Sequence, residues 1–209
     1  MTKEERLQKE IERTAKMKEF ESEYAAQIVC GIDEVGRGPL CGPVVAGAVI
    51  LPKDCNILYI NDSKKLSEKK REEVNLAIKE EAIAYGIGVV SPERIDEINI
   101  LQATFEAMRM AIDSLEVKPD ILLNDAVEIP LVDIKQVPII KGDAKSYSIA
   151  AASIIAKVYR DHLMYEYDKL YPEYSFASNK GYGTAAHIDA IKKYGLTPIH
   201  RRSFTKNFV

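Results

Sequence analysis

The chain has 209 residues, 46% apolar and 29% charged, which suits a single domain with a full core. Its 29 Lys and Arg against 32 Asp and Glu leave a charge of −3, which taken alone argues weakly against nucleic acid as a partner. No apolar run reaches bilayer length, Met1–Arg6 lacks the apolar core of a signal peptide, and Cys30, Cys41 and Cys55 have no metal-ligand spacing, so the expectation is a reduced, cytoplasmic, monomeric protein with no obligate protein partner.

Residues 1–25 are mostly charged, with Leu7, Ile11, Phe20 and Tyr24 at loosely helical intervals, and predict a helix, either exposed or leaning on the main body. A first strand over 27–33 delivers Asp33 and Glu34 at its end. Four glycines (Gly31, Gly36, Gly38, Gly42) and two prolines (Pro39, Pro43) fall between Gly31 and Pro43, on either side of the acids. Adjacent like charges and glycine both cost stability, so such a stretch points to a site, the alternative being a wide turn with two solvated acids. Val44–Leu51 predicts a second, buried strand, and Leu58–Ile60 a short strand or turn leading into Asn61-Asp62-Ser63-Lys64-Lys65-Leu66.

Ser67 caps a polar helix to about Glu81, and 82–90 alternates as a strand. Ser91-Pro92 starts the clearest amphipathic helix, with Ile95, Ile98, Leu101, Phe105, Met108, Ile112 and Leu115 on one stripe. Ile121–Leu123 is a strand running into Asn124-Asp125, and Gln136–Ile140 another running into Lys141-Gly142-Asp143. An Ala-rich helix covers Ser146 to about Tyr165. Lys180–Thr184 is a second Gly-rich loop, with Thr184 capping a helix that stops at Tyr194 before Gly195. The alternation implies an α/β fold, a mixed sheet covered by helices. Residues 141–209 hold 11 Lys and Arg against 6 Asp and Glu, a modest basic end that suits a polyanion or is a fluctuation of a few charges.

Three apolar strands thus end in acid: Asp33-Glu34, Asp125 and Asp143. Converging carboxylates take up protons or bind cations, and hard oxygen donors without His or Cys suit Mg²⁺ or Mn²⁺. Two such ions hold the attacking and leaving oxygens of a phosphoryl displacement. Asp62, Asp96, Glu97 and Glu128 read as solvated or capping, and His162, His187 and His200 as non-ligands, with proton transfer left open to one of them. Lys157 and Arg160 are either phosphate contacts or solvated helix-face residues, and the tail from Ser203 reads as frayed.

Gly31-Ile32-Asp33-Glu34-Val35-Gly36-Arg37-Gly38-Pro39 resembles the signature of ribonuclease HII. The resemblance continues through 61–67, 95–100, Lys141-Gly142-Asp143, 151–157 with Arg160-Asp161, Lys180-Gly181-Tyr182 and His200–Phe204, and the Gly-Arg-Gly form separates it from ribonuclease HIII. It implies a ribonuclease H-like fold with a small helical C-terminal part, divided as a catalytic domain over 26–170 and a substrate-binding region over 171–209. It implies catalysis and metal binding by Asp33, Glu34, Asp125 and Asp143, and substrate contacts by Gly36, Arg37, Gly38 and Tyr182, with Ser63 and Lys64 as further phosphate candidates. The implied activity is hydrolysis of RNA in RNA–DNA hybrids and cleavage 5′ of single ribonucleotides in duplex DNA, leaving 5′-phosphate and 3′-hydroxyl ends. Where many members have Gly after the third acid, this chain has Ala126, which matters only if that residue needs a positive φ. A non-catalytic nucleic-acid-binding module and an integrase-like strand transferase are the competing readings.

Overall fold

The computed structural model describes residues 2–208, so Met1 and Val209, the outer ends of the expected N-terminal segment and tail, lie outside them. Five strands form one mixed sheet: β1 (Val29–Val35), β2 (Val44–Ile50), β3 (Ala84–Val90), β4 (Ile121–Asp125) and β5 (Lys135–Ile139). Their order is β3-β2-β1-β4-β5. β1 pairs antiparallel with β2 and parallel with β4, and β4 pairs parallel with β5. The ends of β1, β4 and β5 therefore emerge at the same edge.

Helices α1 (Lys3–Met17), α2 (Glu19–Glu23), α3 (Glu68–Glu81), α4 (Pro92–Asp113), α5 (Gly142–Lys145), α6 (Tyr147–Leu170), α7 (Phe176–Asn179), α8 (Ala185–Tyr194) and α9 (Arg202–Thr205) surround it. Local chemistry sets their starts. Ser67, Ser91, Ser146 and Thr184 each accept a backbone N–H from the first turn of α3, α4, α6 and α8. α4 covers one face of the sheet, with Met108, Ala107 and Ile95 against Ile32, Ala46 and Val44. α6 and α3 cover the other, where Ala151, Ala152 and Ile155 meet Val49 and Ile78. Each buried Ile or Leu contributes about 1.5–3 kcal/mol. The alanines let α6 lie close, and a side chain at Gly31 of β1 would run into the Ser148 backbone.

The N-terminal helices lean on the body. Met17 is buried, Arg13 donates to the Ile60 carbonyl at 2.7 Å, and Lys18 donates to that of Cys55. Residues 58–59 form a turn, not a strand, with Tyr59 at φ +71. The amphipathic stripe over 92–113 is not one continuous helix. Asn99 sits at φ +67, and its Oδ1 accepts from Leu101 N–H (3.0 Å) and Gln102 N–H (3.2 Å). With ψ at 163 this is a positive-φ extended conformation that strains a residue with a Cβ, and the Asn99 side chain starts the new turn there. Past α6, a separate small core of Cys41, Met164, Tyr174, Phe176, Ile191 and Ile199 holds the C-terminal helices.

Candidate active site

β1 and β4 pair with Ile32 opposite Asn124, so the next residues, Asp33 and Asp125, lie side by side at the sheet edge. β1 runs two residues further than expected, and Asp33 and Glu34 belong to the strand itself. Successive strand residues face opposite sides, so the pair reaches the edge from two directions. Asp143 does not end a strand: the chain leaves β5, turns at Lys141 (φ +59), and puts Asp143 in the first turn of α5. Asp125 holds that turn, its Oδ1 accepting the Gly142 N–H at 2.7 Å. All four acids thereby meet at one pole.

Their electrostatics are those of an anionic cluster only partly compensated. Asp33 is 6% exposed. Burial raises its carboxyl well above the ordinary range, Glu34 and Asp125 push the same way, and the Ser153 hydroxyl opposes them. Glu34 is raised by burial against the pull of Arg37, whose Nη1 lies 3.4 Å from its Oε1. Asp143 is raised by burial and by Asp125 and Asp62, with Lys64 opposing. Among the described residues, no three carboxylates bring their oxygens within 4.8 Å of one another. The donor set is nonetheless hard oxygen throughout, and it fits divalent Mg²⁺ or Mn²⁺ rather than a softer metal.

The pole extends beyond the four acids. Ser63 is buried, and its hydroxyl lies 3.0 Å from that of Ser153. Ser153 can donate its proton only once; given to Asp33, it leaves Ser63 to donate to Ser153. The structure thus turns Ser63 inward behind Asp33 rather than outward as a phosphate contact. Lys64 keeps its place beside Glu34 and Asp143. Asp62 caps the 3-10 turn Ser63–Lys65, accepting the Lys64 N–H at 3.0 Å, and its charge also reaches Asp143. Asp96 acts as a cap, for α9, through the N–H groups of Arg202 (2.7 Å) and Ser203 (3.0 Å).

The glycine loop between β1 and β2 is built around two buried cations, Arg201, to which sequence reasoning assigned no role, and Arg160. Arg201, 0% exposed, gives five hydrogen bonds to the carbonyls of Gly36, Arg37, Pro39 and Gly42 at 2.6–3.0 Å. Arg160, expected as a phosphate contact or a solvated residue, is also 0% exposed and donates to the carbonyls of Pro43, Lys180 and Cys41. Gly36 has φ +95, and a side chain there would strike Arg160 and the Pro43 carbonyl. Lys157 is not solvated either: it joins Arg71 on Asp161 at 2.7 and 3.0 Å.

The second glycine loop is stitched to the first. The Leu40 N–H donates to the Gly181 carbonyl at 2.8 Å. The Tyr182 ring, 44% exposed, stands 3.7 Å from where a Cβ on Gly38 would be. Gly36, Arg37, Gly38 and Tyr182 therefore border one surface next to Glu34. Arg201 was visible in the sequence only as part of the motif His200-Arg201-Arg202. Its signal is a cation with no acid at helical spacing, too weak to find alone.

The family model for Ribonuclease HII matches residues 30–207. Ribonuclease HII of Lachnoclostridium phytofermentans is 66% identical over 204 residues, covering 97% of this chain and 80% of its own. That of Clostridioides difficile is 58% identical over 206 residues, covering 97% and 81%. Among solved structures, ribonuclease H2 of Pyrococcus horikoshii superposes with a TM-score of 0.73 at 28% identity, over 86% of this chain and 96% of that one.

Proposed function

The chain belongs to the ribonuclease HII family, metal-dependent endonucleases that hydrolyse RNA in RNA–DNA hybrids, and from that premise we propose that it also cuts 5′ of a single ribonucleotide in duplex DNA. The observation that carries this reading is the adjacency of a partly compensated acidic pole and a side-chain-poor loop under Tyr182.

Asp33, Glu34, Asp125 and Asp143 would hold two Mg²⁺ or Mn²⁺ ions, which supply charge neutralisation and a nucleophilic water at neutral pH. The chain's own part is positional. Ser153 and Ser63 orient Asp33. The Gly142 amide orients Asp125, and α5 brings Asp143 to the same edge. Ribose differs from deoxyribose only in its 2′-hydroxyl, which both donates and accepts a hydrogen bond. Backbone at Gly38 can approach it closely because no Cβ stands there, and Gly36, packed against Arg160, sets the turn that presents Gly38. The Tyr182 ring offers a flat apolar face that suits deoxyribose on the far side of the junction. Lys64 supplies a cation for a phosphate.

We read residues 26–170 as the catalytic body, 171–209 as its substrate-side helical part, and 1–25 as a helical support. Among the described residues no helix is long and apolar enough to cross a membrane, and a cytoplasmic monomer suits the composition.

The test is a duplex DNA with one embedded ribonucleotide. With Mg²⁺, a single cut on its 5′ side leaving a 5′-phosphate and a 3′-hydroxyl is expected. Asp125→Asn should keep duplex binding and lose most turnover. Cleavage of a long hybrid with none at the single ribonucleotide refutes the finer specificity, and binding without Mg²⁺-dependent cleavage favours a non-catalytic module.

A further inference from the structure

Cys41, His187 and His200 are all buried, with ligand atoms within 4.8 Å of one another, and they form the one such group among the described residues. The set looks like a metal site, but the hydrogen bonds give it another role. The Thr197 amide N–H, which can only donate, lies 2.9 Å from His200 Nδ1. The Thr197 hydroxyl lies 2.8 Å from the same nitrogen and can turn its proton to it as well, so Nδ1 accepts on both counts and the proton of the neutral ring sits on Nε2. That nitrogen lies 3.1 Å from His187 Nε2. At the other end of His187, Nδ1 lies 2.9 Å from the Tyr182 carbonyl, which can only accept. So His187 carries its proton on Nδ1 and offers a lone pair at Nε2, where His200 delivers its own proton. One neutral arrangement satisfies every atom in the row.

Any other state breaks it. A proton on His200 Nδ1 could be donated to the Thr197 hydroxyl but would leave two bare lone pairs facing each other between the rings, and one on His187 Nε2 would face the His200 N–H. Metal ligation through His200 Nε2 would require that ring to give up the proton it holds there or move it to Nδ1, ending the bond to His187. The two buried guanidiniums of Arg160 and Arg201 act on Cys41 as well, and they oppose a further cation there. Burial favours the neutral rings: it lowers His187, and it brings His200 down to about 4 with His187 adding to the effect. Tyr174 and Phe176 pack on both imidazoles, with the Phe176 ring edge-on to His187 at 5.4 Å, and limit their rotation.

We propose that Thr197, His200 and His187 are positioning residues, a directed hydrogen-bond relay that holds the Tyr182 backbone and so sets the Tyr182 ring over Gly38. His200 joins the row to the glycine loop through its bridge with Cys41, next to the Gly42 N–H bond to the Ile199 carbonyl at 2.8 Å. The relay thus adds a side-chain link among three chain segments that the Leu40–Gly181 bond and the Arg160 and Arg201 side chains also tie together. The proposal rests on the reading that Tyr182 faces the sugar at the junction.

The experiment separates the two nitrogens of His187. His187→Asn keeps an N–H near the Nδ1 position, whereas His187→Gln keeps only a group near Nε2. The readout is the ratio of kcat/KM on a single-ribonucleotide duplex to that on a uniform RNA–DNA hybrid, alongside Tyr182→Ala. The relay predicts a roughly tenfold fall in that ratio for His187→Gln, which loses the bond to the Tyr182 carbonyl, and a smaller fall of roughly threefold for His187→Asn, which keeps that bond and loses the one from His200. An Asn value equal to wild type overturns the part given to His200 and Thr197. In parallel, imidazole ¹⁵N spectra of the wild-type protein should report the Nδ1–H form for His187 and the Nε2–H form for His200, unchanged by equimolar Zn²⁺. If Tyr182→Ala lowers the ratio and His187→Gln does not, the relay is overturned. If Tyr182→Ala leaves the ratio intact, the sugar reading fails with it, and the positioning role falls too. Opposite tautomers, or a spectrum shifted by Zn²⁺, overturn the relay whatever the kinetics.

Discussion

Two buried charge centres flank the loop from Gly36 to Pro43, and the protein treats them in opposite ways. On the cationic side, Arg201 and Arg160 are wholly enclosed, yet their donors are taken by backbone carbonyls of Gly36, Arg37, Pro39, Cys41, Gly42, Pro43 and Lys180. No carboxylate forms an ion pair with either among the described residues. Burial still lowers Arg201 to about 9, with Arg160 next in effect, so it stays charged at neutral pH. On the anionic side, Asp33, Glu34 and Asp143 are all raised by burial, and their partial compensation comes from Arg37, Lys64 and a serine hydroxyl. A charge saturated by fixed dipoles is scaffold. A charge left short of partners marks where a cation and its substrate are to come.

The contrast breaks most sharply at Asp33. Asp33→Asn should cut Mg²⁺-dependent turnover by about 10³-fold or more, as removal of a central ligand does. The same change should leave the metal-free fold at least as stable, because a carboxyl raised by burial binds more protons folded than unfolded. Stability of the metal-free protein then falls as pH climbs from the ordinary carboxylate range through the raised one, and Asp33→Asn should flatten that slope. Urea midpoints across the acid range check both signs. A variant that loses stability as well as activity would place Asp33 with the scaffold instead.

Arg201 should behave the other way. Arg201→Met strands four buried carbonyl groups and should cost about 3 kcal/mol or more, read as a drop in urea midpoint with unchanged slope. Arg201→Lys should fall between, since one ammonium has three donors for five bonds. Saturating Mg²⁺ should then raise wild-type stability by about 2.7 kcal/mol at a hundredfold excess over its dissociation constant. Thermal melts of Asp33→Asn should show most of that gain removed, and those of Arg201→Lys should show it kept.

The smallest effect expected lies at Ala126, directly after Asp125. Its φ is +57, a conformation that costs a residue with a Cβ about 1 kcal/mol. The departure from Gly noticed in the sequence is therefore local strain next to an acid of the pole. Ala126→Gly should relieve about 1 kcal/mol in urea unfolding without changing turnover by more than about twofold. A loss of activity would mean that the strain itself aims Asp125.

Much of this was legible beforehand, where the cause is local. Ser67, Ser91, Ser146 and Thr184 cap helices because each cap needs only its own first turn. The apolar runs before Asp33 and Asp125 become strands because they are buried on both faces, and the acids at their ends follow. Asp143 on a one-turn helix rather than a strand end was not legible, since its turn is held by Asp125 from another strand. The break at Asn99 was hidden by an apolar stripe that continues across it. Ser63 looked like a surface phosphate contact because its partner, Ser153, is 90 residues away.

The amino-acid sequence by itself determined the alternation of strands and helices, the four acids, the two glycine loops and the family. These are properties of short windows, set by periodicity, caps and residue type. Only the tertiary structure decided which charges are satisfied and which are left waiting. Arg201 looks like a surface cation in its own window, and it becomes the centre of the loop only when carbonyls about 160 positions earlier close around it. Burial and hydrogen-bond partnership are properties of neighbours in space, and in this fold the decisive neighbours are distant in the chain.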